Sequence, residues 1–115
     1  MPIYHKAMSE GGWFKYSLSE QLANIGSEVH RAIDWYRKRN NIRFIEAFEK
    51  AFELFDLTLS DDRWKGRRKE ISRSKEIFGE LLTKPDLIKD LDKELDWLDN
   101  YFFQYGLMVS LRKGR

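Results

Sequence analysis

The sequence predicts an all-α fold: an up-down antiparallel four-helix bundle preceded by an aromatic amino-terminal arm. Three observations carry that expectation. Proline occurs only at Pro2 and Pro85, so about eighty residues run without the ring that breaks a helical hydrogen-bond ladder. Apolar residues recur at three- and four-residue steps in four separate stretches, and no stretch shows the sustained alternation of a strand. The connections between those stretches are short, which sets successive helices antiparallel. A chain of 115 residues, 42% of them apolar, is one domain with enough material for one core.

Residues 1–16, with Gly11-Gly12 in their middle and Trp13, Phe14 and Tyr16 behind, show no sustained period and read as the arm, whose aromatics need a place to dock. The bundle is expected over residues 17–115. Ser17-Leu18-Ser19-Glu20 has capping-box spacing and starts helix one, expected over about 17–39 with Leu18, Leu22, Ile25, Val29, Ala32 or Ile33, and Tyr36 inward. Phe44, Ile45, Phe48, Ala51, Phe52, Phe55 and Leu59 define helix two, about 42–59. Helix three, about 62–83, is the weakest amphipath, because its stripe of Trp64, Arg67, Ile71, Ser74, Phe78 and Leu81 contains an arginine and a serine. Its burial is expected to be partial or bent. Pro85 stops that helix and suits the first turn of the next, about 86–111, with Leu87, Leu91, Leu95, Leu98, Phe102, Tyr105 and Val109 in line.

Residues 101–111 carry eight apolar side chains in eleven positions and are apolar on every side, more than a bundle helix needs. A second surface must meet them: another copy of the chain, or the arm folded back. The expectation is a homo-oligomer, most simply a dimer, with an interface of Trp97, Tyr101, Phe103, Leu107, Met108 and Leu111, since apolar patches of this kind mark association surfaces. A further protein partner fits the same surface.

Charge is abundant but balanced, with 21 Lys and Arg against 19 Asp and Glu, which fails the signature of disorder. Residues 61–75 hold seven basic against three acidic side chains, and residues 86–99 hold six acidic against two basic, so mutual attraction between helices three and four is the simplest expectation. The alternative is a nucleic-acid face of Arg63, Lys65, Arg68, Lys69 and Arg73, widened by Arg31, Arg37, Lys38, Arg39 and Arg43 if the two groups face the same way. Arg67, on an apolar stripe, needs an acidic partner; Glu20, Asn24 and Glu28 form a polar ridge on helix one that would supply a buried clamp or a small pocket. Gly26 on the same helix points to a close backbone approach or a kink.

Catalytic chemistry has no visible machinery. There is no cysteine, no nucleophile–base pair and no phosphate loop, and no cofactor is expected. Glu46, Glu49, Glu53 and Asp56 make an outward ridge, and neither His5 nor His30 completes a Glu-x-x-His pattern, so no metal site is expected. Without a membrane-length apolar run or a leader pattern the chain reads as cytoplasmic.

The segments Tyr16–Val29 and Ala51–Trp64, about half of the chain with their surroundings, resemble those of short prokaryotic helical-bundle proteins of no assigned activity. In size and helix count the chain is also similar to HEPN-type domains, the helical partners of small nucleotidyltransferases and the toxins of some toxin–antitoxin pairs. Ribonuclease members of that group carry an arginine followed four to six residues later by histidine. Neither His5 nor His30 has an arginine at that distance, so this resemblance implies a non-catalytic scaffold or partner subunit.

Overall fold

In the computed structural model, which describes residues 10–113, four α-helices follow one another in the up-down order: α1 Leu18–Arg37, α2 Asn41–Leu59, α3 Arg68–Thr83 and α4 Leu91–Lys113. Short 3-10 turns precede α1, α3 and α4. α1 is the packing centre, lying along both α2 and α4, whereas α3 rests mainly on α2 and touches α4 more lightly.

Helix starts follow local chemistry. The Ser17 hydroxyl accepts from the Glu20 amide at 3.2 Å, and the Glu20 carboxylate accepts from the Ser17 amide at 3.0 Å, the expected capping box. α1 ends where Arg39 adopts a left-handed φ of 59°, with its amide bonded to the Tyr36 carbonyl and the Asn40 amide to that of Trp35. That is a Schellman closure made by arginine where glycine is usual. Asn40 then caps α2 through the Arg43 amide.

Two expected helices begin late. Residues 62–67 form a 3-10 turn, with Trp64 at φ −105° and ψ 22°, so α3 starts only at Arg68. Asp61 causes this: its carboxylate accepts the Arg63 amide and its carbonyl the Trp64 amide, winding the chain too tightly for an α-helical start. Pro85–Leu87 likewise turns as 3-10, Ile88 is extended at ψ 123°, and α4 starts at Leu91 with the Asp90 carboxylate accepting the Lys93 amide at 3.3 Å. Leu87, expected on the helix-four stripe, is therefore exposed.

The core joins Leu22, Ile25, Val29 and Ile33 of α1 to Ala51, Leu54 and Phe55 of α2, Ile71, Phe78 and Leu81 of α3, and Leu95, Leu98 and Phe102 of α4. Phe48 stacks on both Phe52 and Phe78, with centroids 4.5 and 5.0 Å apart, so α2 and α3 meet through aromatic faces. Ile45, expected to point inward, stays exposed.

The described part of the arm is docked; its residues 1–9 lie outside the described residues. Trp13 is 1% exposed, and its indole N–H donates to the Thr58 hydroxyl at 2.8 Å. Buried Gln21 ties the surroundings together: its amide donates to the Trp13 carbonyl and to Asp61, and its carbonyl accepts from the Trp64 indole at 3.0 Å. Arg63 closes the group by clasping Asp61 at 2.6 Å, bonding the Tyr16 carbonyl and lying over the Trp64 ring. Beside this guanidinium the Asp61 carboxyl is held below its ordinary value despite its burial.

The charges pair differently from the expectation. The acidic stretch of α4 meets α1, with Arg37 bound to Asp96 and Asp92 and His30 to Asp99. The basic stretch around α3 turns back to the end of α2 and its turn, with Lys75 on Asp56 and Arg68 on Asp62. Neighbour contact decides the pattern, because α1 and not α3 is the long partner of α4.

Candidate functional site

The apolar surplus of α4 resolves into two flanks. Leu95, Leu98 and Phe102 enter the core, and Tyr105 and Val109 are half-buried beside it. Phe103, Leu107 and Leu111 remain 67%, 50% and 62% exposed. At 100° per residue each four-residue step advances only about 40°, so these three make one line along the helix. Trp97 and Met108 are also exposed, but they stand on a flank about 100° away, and half-buried Tyr101 between them turns to α3 and donates its hydroxyl to Glu70 at 2.6 Å. On this projection the six residues expected to form one interface span about 160° of the helix, from Phe103 beside α1 to Tyr101 beside α3. The described part of the arm leaves both flanks bare, since Trp13 is held at the Thr58–Gln21 group.

Beside the Phe103 line a groove of about 380 Å³ opens between α1 and α4. Its floor is made of small residues, Ala23, Gly26 and Ser27 on α1 and Gly106 on α4, with Phe103 on the rim. Gly26 allows the helices to approach: a Cβ there would lie 2.7 Å from the Cβ of Phe102. At Gly106 a Cβ would meet nothing within 4 Å, so that end of the groove is open. His30 and Asp99 stand at the other end with Nδ1 and Oδ2 2.9 Å apart. A projecting apolar ridge next to a glycine-floored furrow gives one surface both a knob and a hole.

The polar clamp expected around Arg67 does not assemble. Arg67 sits at the break before α3, where its guanidinium is half exposed and bonds Glu70 three residues ahead at 3.0 Å. Among the described residues Asn24 bonds the Glu20 carbonyl of its own helix, and Glu28 pairs with Arg31. The late start of α3 moves Arg67 off the helical stripe on which the expectation relied. Glu70, between the Arg67 guanidinium and the Tyr101 hydroxyl, titrates below its ordinary value. Tyr101 is pushed up by burial and by donating to that carboxylate.

The basic residues also divide. Arg63 and Arg68 are held by Asp61 and Asp62, while Lys65, Lys69 and Arg73 have no acidic partner among the described residues. The second group does not widen this face: Arg37, Lys38, Arg39 and Arg43 surround the α1–α2 connection, at the opposite end of the bundle from the turn before α3. On α2, Glu46 pairs with Lys50 and Asp56 with Lys75.

Two features escaped the sequence reading. The small-residue floor was visible only as Gly26, because Ala23 and Gly106 acquire meaning from the α1–α4 register. Gln21 lies one position from the apolar stripe, and only the docked Trp13 makes its burial necessary.

Fold and site together define a small helical bundle with an exposed apolar helix face beside a shallow groove. No family model matches the chain, and no curated protein or solved structure matches it at a significant level. Among the described residues no helix is long and apolar enough to cross a membrane.

Proposed function

We propose that this protein is a non-enzymatic helical-bundle interaction subunit that self-associates, most simply as a dimer, through the carboxyl-terminal half of α4. One observation carries the reading: Phe103, Leu107 and Leu111 stand in line and exposed, with the glycine-floored groove beside them. Leaving such a line in water forgoes about 1.5–3 kcal/mol per large apolar side chain that burial would return. A two-fold interface requires a surface complementary to itself, and a ridge flanked by a furrow meets that requirement.

Nucleic-acid binding through Arg63, Lys65, Arg68, Lys69 and Arg73 has less support, because Arg63 and Arg68 are already engaged by carboxylates. An accessory role beside a small nucleotidyltransferase, which the HEPN resemblance implies, would use the same α4 face.

The test is sedimentation velocity at tens of micromolar. The wild-type chain is expected to run as a dimer, and Leu107→Glu as a monomer with unchanged helical circular dichroism, because Leu107 makes no core contact. A monomeric wild type overturns self-association.

A further inference from the structure

On the other flank of α4, α3 and α4 leave a cleft of about 470 Å³, within the range of small-molecule sites. The Tyr101–Glu70 bond fixes the antiparallel register of the two helices. That register carries Arg73 to the level of Trp97, and Lys93 lines the same opening one turn before Trp97 on α4.

The cleft has a rigid aromatic wall. The Trp97 and Tyr101 rings are stacked with centroids 5.7 Å apart and planes 19° from parallel. Tyr101 is pinned by its bond to Glu70 and by edge contacts to Phe102 and Tyr105. Trp97 packs offset against Tyr101 and is itself half exposed, which leaves ring surface accessible to a planar ligand.

The cleft also has uncommitted cations. Elsewhere around α3, Arg63, Arg67, Arg68 and Lys75 are each held by a carboxylate. Arg73 and Lys93 line the cleft and have no acidic partner among the described residues. Of the two carboxylates in the lining, Glu70 is neutralised by Arg67, which leaves Glu94 as the opposing charge.

We propose that this cleft is a binding site for a nucleotide unit, with the base stacked on the accessible ring surface of Trp97 and the phosphate held by Arg73 and Lys93. A flat ring joined to an anionic group is the chemistry that an aromatic platform beside two free cations recognises. The unit is a free nucleotide or one residue of a single strand. The site lies on the α3-facing flank of α4 and does not depend on the association reading.

The experiment follows the Trp97 indole N–H resonance, assigned by its loss in Trp97→Phe, during titration of the full chain. The probes are adenosine monophosphate, a short single-stranded oligoadenylate, adenosine and inorganic phosphate. The nucleotide or the strand is expected to shift that resonance, with binding that weakens as salt is added. Trp97→Ala is expected to weaken binding about tenfold or more, Arg73→Gln and Lys93→Gln about threefold or more each, and Glu94→Gln to strengthen it. Comparable affinity for mononucleotide and strand assigns the free nucleotide, and binding of the strand alone assigns a single-stranded nucleic acid. Adenosine and inorganic phosphate are each expected to bind more weakly than the joined unit. An unmoved Trp97 resonance with both nucleotide probes at millimolar concentration overturns the proposal, as does full affinity in Trp97→Ala. Because Trp97 and Arg73 are exposed, both variants keep the fold, checked by circular dichroism.

Discussion

Single side chains set the closest tolerances in this bundle. At Gly26 the missing Cβ is what lets α1 and α4 touch, since an added methyl carbon would sit 2.7 Å from Phe102. Gly26→Ala gains about 1 kcal/mol in helix propensity but must push the two helices apart, which overpacked cores resist at about 1–3 kcal/mol. The second effect wins here because Phe102 is anchored in the core, so urea unfolding is expected to show a net loss of about 1–2 kcal/mol. Asp61 gives a pH-dependent counterpart. Its carboxyl titrates below the ordinary 3.8 in the folded state because Arg63, backbone and Gln21 donors hold the charged form. A lowered folded value means that the stabilisation is present above the unfolded value and is lost as pH falls through the folded one. Asp61→Asn is therefore expected to be less stable by about 1–3 kcal/mol at pH 7. Urea titrations of both proteins should converge as pH falls below the ordinary carboxyl value of 3.8 and the wild-type carboxyl protonates.

At the scale of the helices, existence and order were legible in the sequence, and the starting points less so. α1 and α2 lie within one or two residues of their expected ends, because Ser17 and Asn40 are strong caps next to strong stripes. α3 and α4 begin five or six residues late because a 3-10 turn that apolar spacing does not report precedes each: Asp61 diverts the amides of residues 63 and 64, and the Pro85–Leu87 turn runs into extended Ile88 before Asp90 caps α4. The same displacement undid the expectation for Arg67, which was placed by a helical period the chain has not yet adopted at that residue. The apolar excess of α4 was readable from its composition, whereas its division into a Phe103 flank and a Trp97 flank depends on which neighbour each side faces. If Asp90 is the true cap of α4, Asp90→Ala should cost about 1 kcal/mol, measured by thermal unfolding. Asp86→Ala, in the turn before it, should cost little, which separates the observed start from the expected one at residue 86.

For the whole molecule, the unequal sharing of contacts predicts where the fold opens first. α1 is sandwiched along its length by α2 and α4 and contributes Leu22, Ile25, Val29 and Ile33 to the core. The last turns of α4, from Gly106 onward, hold no fully buried side chain among the described residues, and the turn over 62–67 holds none either. Local opening free energy follows buried contact, so protection should be graded and not uniform. Amide hydrogen exchange of the wild-type chain is expected to be slowest in the middle of α1 and the facing part of α2, from Ala47 to Phe55. It should be faster in α3 and fastest, within the helices, from Gly106 to the end of α4. Association through Phe103, Leu107 and Leu111 would change one part of this gradient. Raising the protein concentration should slow exchange around residues 103–111 while leaving the turn at 62–67 unchanged, because only the α4 face is buried in the dimer. Leu107→Glu should abolish that concentration dependence and keep the rest of the gradient, and equal slowing at both places would show that general stabilisation, not a contact on α4, is responsible.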